Sequence, residues 1–163
     1  MNTRQIIMIT ATLTAALVAG LFFGFAVSIN PAFTRLPDAQ YITAMQAIND
    51  VIVNPLFMSA FLGAAILLPV AAIQQQGRRK GLLWLSAILY IVGVFGITSA
   101  ANVPMNDALA KVQVAGASAQ QLADARNTFA GPWNGWHNVR TIISVVATIL
   151  AIMACLQKEE SKK

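Results

Sequence analysis

Charge is scarce in this chain, and so is nearly every residue that polar chemistry needs. Its 163 residues hold six Asp and Glu, one His and one Cys, and only 10% of them are charged, against roughly 25% in soluble domains. The lone Cys155 excludes an internal disulfide and a Cys-x-x-Cys redox pair, which argues against a quinone-linked thiol oxidase and leaves Cys155 as a small packing residue. A single His, with Cys155 at the opposite end of the last apolar run and no paired carboxylates, falls short of the three or four ligands of a usual metal centre. A haem would find one obvious axial ligand, His137. No metal and no cofactor is therefore expected. Neither a glycine-rich phosphate loop nor a Ser-His-Asp spacing is present.

Apolar residues take up the difference, at 57% of the chain with a mean hydropathy of +0.65. Four runs, at about 6–29, 55–73, 82–101 and 139–156, each approach the ~20 helical residues that cross a hydrocarbon core of about 30 Å. None contains Asp, Glu or Lys, and Arg140 sits at a boundary. Four segments are too few to close a barrel, so backbone satisfaction in lipid predicts an all-α, four-helix transmembrane bundle. What is left over is too short for a second core, so residues 1–163 read as one integral membrane domain. The first run is longer than the ~7–15 residues of a signal-peptide core and has no clear cleavage site, so it reads as a true span.

The net charge of +5 gathers at the edges of the apolar runs, where it sets orientation and touches anionic lipid; no nucleic-acid site is read. Arg4, the turn Arg78-Arg79-Lys80 and the tail Lys158, Lys162 and Lys163 share one side, against Arg35, Lys111, Arg126 and Arg140 spread over longer loops. The chain is therefore expected in a bacterial inner membrane with both termini cytoplasmic. Ala16, Gly20, Gly24 and Ser28 recur every fourth residue. Such a face favours close packing inside the bundle over association with a second copy, although a homo-oligomer stays open.

The two outer loops carry most of the candidate chemistry. In the first, Asn30-Pro31 and Asn54-Pro55 mark breaks. Tyr41, Met45, Ile48 and Ile52 between them form the stripe of an amphipathic helix, and Asn54 reads as an N-cap with Pro55 at the first helical position. The second loop is expected to run from Asn102 to Arg140, holding a short helix that Ser118 and Gln121 open as a capping box and Gly131-Pro132 stops. In a helix starting at Pro132, Trp133, Trp136, His137 and Arg140 share one face. Asn49, Asn54, Asn102, Asn106 and Asn138 arrive at the same end of the bundle. Uncharged hydrogen-bonding groups around an apolar cavity suit a lipophilic small molecule entering from lipid. They suit ion or proton transport poorly, because no span holds a carboxylate. Taken singly, each residue also has an architectural reading: tryptophan as interfacial belt, asparagine as cap, Arg140 snorkelling to lipid phosphate.

The stretches Gly20-Leu21-Phe22-Phe23-Gly24-Phe25, Pro31-Ala32, Met45-Gln46-Ala47-Ile48-Asn49, Asn54-Pro55-Leu56-Phe57, Asn102-Val103-Pro104-Met105-Asn106-Asp107-Ala108-Leu109 and Trp133-Asn134-Gly135-Trp136-His137-Asn138-Val139-Arg140-Thr141 together resemble the anthrone oxygenase-like small membrane proteins. That family is also described as a bacterial domain of unknown function. The resemblance covers nearly the whole chain and implies a four-span bundle and a cofactor-independent oxygenase that turns an anthrone, or a related polycyclic or quinol-like compound, into a quinone. It departs at one place: the family pattern often reads Trp-Asn-His-x-Arg, and the order Trp136-His137-Asn138-Val139-Arg140 turns the histidine by about 100°. Carried over, the resemblance implies His137 as base, Arg140 with Asn102 and Asn106 holding an enolate oxygen, and Trp133 and Trp136 stacking on the substrate. The alternative is a non-catalytic protein that binds a lipid, a small hydrophobic molecule or a partner subunit through the same face.

Overall fold

The computed structural model describes residues 2–157; the tail lysines Lys158, Lys162 and Lys163 lie outside them. Four long apolar helices dominate: α1 (Thr3–Phe33), α3 (Pro55–Ile73), α4 (Gly77–Ala110) and α5 (Ala119–Leu156), of 31, 19, 34 and 38 residues. A fifth helix, α2 (Asp38–Val51), lies between the first two. The protein is a multi-pass, all-helical membrane bundle, as its composition predicts.

Each span packs on its neighbours in sequence and α1 packs on α5, so the four form a square, with the start of α1 and the end of α5 at one end. Small residues line the seams: Ala11, Ala15, Ala64, Ala71, Ala87, Ala147 and Ala151 are fully buried. Among the buried side chains that bridge helices, the Ser86 hydroxyl donates to the Ala147 carbonyl at 2.7 Å and the Tyr90 hydroxyl to the Phe61 carbonyl at 3.1 Å. Such bridges matter in lipid, where association lacks a hydrophobic drive. The outward faces are apolar, with Leu13, Leu17, Ile66, Val92, Ile142 and Ile149 exposed, which is the surface that contacts membrane lipid.

Three expected breaks are not breaks. The helices run through Asn30-Pro31, Asn102-Val103-Pro104 and Gly131-Pro132, and the second loop shrinks to residues 111–118. Each proline is accommodated locally. Widened π-helical turns occupy Phe25–Ile29 and Thr98–Asn102, just ahead of Pro31 and Pro104. The proline ring collides with the carbonyl four residues back, Val27 or Ala100, and a widened turn moves that carbonyl away. At Pro132 the preceding residue is Gly131, which has no Cβ to collide with the ring. As a result α5 runs about 57 Å, well past a hydrocarbon core.

The overrun builds a second core at the end away from the termini. Tyr41 and Met45 of the expected stripe, with Ile42 beside them, pack against Phe25, Leu109, Leu122, Phe129 and Trp133, and Ile48 borders them; Ile52 falls just past the end of α2 and lines the cavity described below instead. The α2 start is clamped by Arg126, which pairs with Asp38 at 2.8 Å, donates to the Leu36 carbonyl at 2.7 Å and lies over the Tyr41 ring at 4.5 Å. Burial pushes the Tyr41 phenol above its ordinary pKa, with Arg126 pulling it back. Gln46 donates to the Leu109 and Val112 carbonyls at 2.8 and 2.9 Å. Asn54 caps α3, and Ser118 with Gln121 caps α5, as expected.

The small-residue face of α1 is corrected. A Cβ at Gly20 or Gly24 would meet nothing within 4 Å, because the buried face of α1 is the one carrying Met8, Ala11, Ala15, Val18 and Phe22. At the end bearing the termini, Arg79 is buried and donates to the Gln157 carbonyl and to Gln75, where a cation complements the end of α5.

Candidate functional site

A cavity of about 480 Å³ lies where the two cores meet, within the ~300–1,000 Å³ of small-molecule sites. Phe22 and Phe25 of α1, Phe57 and Phe61 of α3 and Phe95 of α4 supply most of its aromatic wall. The ends of Phe57 and Phe61 stack at 5.4 Å between centroids.

Polar groups enter this wall at few points. Arg140 is 7% exposed and donates through Nη1 to the Thr98 hydroxyl at 3.0 Å and through Nε and Nη2 to Nδ1 of His137 at 3.3 and 3.0 Å. Its guanidinium sits 4.3 Å from the Phe22 ring centre. Among the described residues it has no carboxylate partner; the one ion pair there is Arg126 with Asp38. An unneutralised cation at an apolar wall carries a desolvation cost of several kcal/mol, which neutral acceptors and a ring face offset in part.

His137 is 1% exposed, with Nε2 against the Phe22 carbonyl at 3.1 Å. Arginine only donates and a carbonyl only accepts, so the network assigns the imidazole proton to Nε2 and the lone pair to Nδ1. Both nitrogens are engaged, and Nδ1 is available only when Arg140 turns from it.

The remaining expected residues divide sharply. Trp133 is buried and lines the cavity, and its ring is stacked with Phe129 at 5.8 Å and with His137 at 4.9 Å, with the Arg140 guanidinium over it at 5.4 Å. Its Nε1 donates to Asn106 Oδ1 at 2.7 Å, and Asn106 lines the cavity. Asn49 also lines it, with a buried Nδ2 that has no partner. Asn102 sits behind the wall: its Nδ2 donates to the Trp133 carbonyl at 3.3 Å and its Oδ1 is buried without a partner. Three residues stand apart from the cavity. Trp136 is 46% exposed, Asn138 faces outward, and Asn54 spends its side chain on the Leu56 and Phe57 amides and the Val51 carbonyl. The shared face expected for Trp136 fails because the helix buries the Trp133, His137 and Arg140 stripe, three and four residues apart, and Trp136 lies beside it.

Sequence reasoning missed the phenylalanines and Thr98. A signal existed in Phe57 and Phe61, one helical turn apart, but an apolar span offers many such pairs. Among the described residues, no three His, Cys, Asp or Glu side chains cluster as metal ligands would.

Residues 44–150 match the model of a family described as anthrone oxygenase, an interval that holds every candidate site residue from Asn49 to Arg140. No curated protein and no solved structure matches the chain.

Proposed function

Because the chain belongs to the anthrone oxygenase family, we propose that its cavity takes a lipophilic polycyclic aromatic with an enolisable carbonyl and oxidises it with molecular oxygen. The observation that carries this reading is Arg140: a buried cation with no carboxylate beside it among the described residues, set in the wall of an aromatic-lined cavity. Such a group stabilises an oxygen on which negative charge develops. The carbonyl oxygen of a bound anthrone draws Arg140 from His137, and when the ring methylene loses a proton the charge of the carbanion, which resides largely on that oxygen, is met by the guanidinium. The vacated Nδ1 of His137 takes the methylene proton.

The enolate then passes one electron to oxygen, and the two radicals combine at the former methylene carbon. The peroxide so formed takes a proton back from His137 and loses water, leaving a second carbonyl. Anthrone and O2 become anthraquinone and water, and the rings carry the electron transfer. The protein binds, excludes water and manages one proton. On the charge rule, this site lies at the outer end of the bundle with both termini cytoplasmic.

Purified protein in detergent is prepared without oxygen, mixed with an anthrone and a ubiquinol analogue in separate runs, and exposed to air. Wild-type turnover of the anthrone above the uncatalysed rate, reduced on the order of 100-fold in Arg140→Ala, is the expected result. Folded wild type that turns over neither compound overturns the oxygenase reading and leaves a cavity that binds without chemistry.

A further inference from the structure

We infer that the cavity is also a binding site for a single-chain lipophilic carboxylate, a free fatty acid of the surrounding leaflet, whose head group Arg140 holds. The inference needs the cavity and its cation but no oxidation, so it goes beyond the reaction proposed above and does not fall with it.

Arg140 is equipped for a planar anion. Its Nε and one N–H of Nη2 go to Nδ1 of His137, and one N–H of Nη1 goes to Thr98, which leaves one N–H on each of Nη1 and Nη2. A carboxylate accepts such a pair of donors with both of its oxygens. The acceptors already in place are neutral, and among the described residues no carboxylate reaches the guanidinium. A carboxylate from the membrane would offset the cost of holding this cation in an apolar wall.

Depth and access favour a lipid acid over a water-soluble one. Arg140 lies about 24 Å along α5 from Leu156, and so close to the far surface of a hydrocarbon core about 30 Å thick. A fatty acid in a bilayer carries its carboxylate at that level, with its chain directed into the core. The cavity reaches the lipid-facing surface as well. Leu21 lines it and continues the exposed row of Leu13 and Leu17 at a spacing of four residues, and Ser99 and Val103 of α4 line it and are exposed too. The volume of about 480 Å³ is that of a drug-sized molecule, enough for one medium-length chain and not for the two chains of a phospholipid. A fatty acid seated on Arg140 takes the group that the ketone oxygen of the proposed substrate needs, so the two compete.

The test uses three probes that share one brominated chain: ω-bromododecanoic acid, ω-bromododecanol and ω-bromododecyl phosphate. Each is added to the full chain in neutral detergent at about pH 9, where a carboxylate is ionised, and tryptophan quenching is followed. Wild type is expected to bind the acid at least about tenfold more tightly than the alcohol, and Arg140→Gln to bind the two alike. Trp133→Phe should lose most of the quenching that is specific to the acid, because Trp133 lines the cavity beneath the guanidinium, whereas Trp84 lies near the start of α4. Equal binding of acid and alcohol by wild type overturns the inference. A preference that persists in Arg140→Gln does so too, since surface cations then hold the anion. Tighter binding of the phosphate than of the acid replaces the carboxylate with a phosphate head group and overturns the assignment. If Arg140→Gln does not fold, wild type and Trp133→Phe still decide: acid-specific quenching that survives without Trp133 places the acid outside the cavity. None of these readings uses anthrone turnover, so failure here and failure of the oxygenase reading are distinguishable. Where wild type does oxidise an anthrone, dodecanoate should raise KM and leave kcat unchanged; a fall in kcat alone would put the acid elsewhere.

Discussion

The guanidinium of Arg140 covers the one lone pair of His137, with Nη2 at 3.0 Å and Nε at 3.3 Å from Nδ1. The two residues, one helical turn apart on α5, thereby restrain each other: the base is masked while the cation is unemployed, and a ligand oxygen that engages Arg140 unmasks it. The cation draws its remaining fixed bond from Thr98 across the seam between α4 and α5.

This pairing makes His137→Ala informative in two measurements. Anthrone turnover should fall by about 10²–10⁴-fold, the usual contribution of a positioned base, while quinone binding, which needs Arg140 and no proton transfer, should change far less. Turnover at the wild-type rate would remove His137 as the base.

Thr98→Val keeps the volume and shape of the side chain and deletes the third anchor of Arg140. One hydrogen bond to a charged donor contributes about 1.5–3 kcal/mol, so turnover should fall roughly 10- to 100-fold with little change in melting temperature. A melting loss as large as the catalytic one would show Thr98 acting on the fold instead.

At Gly93 the seam between α4 and α5 leaves no room for a side chain. A Cβ there would stand 2.5 Å from Cγ2 of Ile143, and overpacking of this kind costs about 1–3 kcal/mol. Gly93→Ala should therefore lower the melting temperature, and Ile143→Ala in the same chain should restore part of it; separate, additive losses would contradict the contact.

Arg126→Met removes an ion pair, the carbonyl contacts that hold the start of α2 and the cation over Tyr41. Hydrogen exchange in α2 should accelerate while the spans stay protected, since only the clamp of the second core is lost. Unchanged α2 protection would assign the helix's position to its apolar stripe alone.

Asn54→Ala separates capping from binding. Loss of a cap costs about 1 kcal/mol and should appear as a lower melting temperature with ligand affinity intact, because the Asn54 side chain is committed to Leu56, Phe57 and Val51. A fall in affinity without a fall in stability would return Asn54 to the site.

What the sequence determined by itself was whatever depends on neighbours along the chain. The four spans follow from runs of apolar residues, because lipid leaves the backbone no alternative to the helix. The caps at Asn54 and at Ser118 with Gln121, and the packed stripe of α2, follow from spacings of two to four residues. The tertiary structure alone decided that the helices continue through Pro31, Pro104 and Pro132. Proline's local tendency to break a helix lost to the burial of Phe25, Leu109, Phe129 and Trp133 in a second core and to the widened turns that make room for it. It likewise decided that Arg140 and His137 face a cavity walled by Phe22, Phe57 and Phe95, that Trp136 and Asn138 face away, and that Gly20 and Gly24 look outward. Those outcomes depend on which face each helix turns to partners distant in the chain, and in a segment apolar all round no residue pattern marks that face.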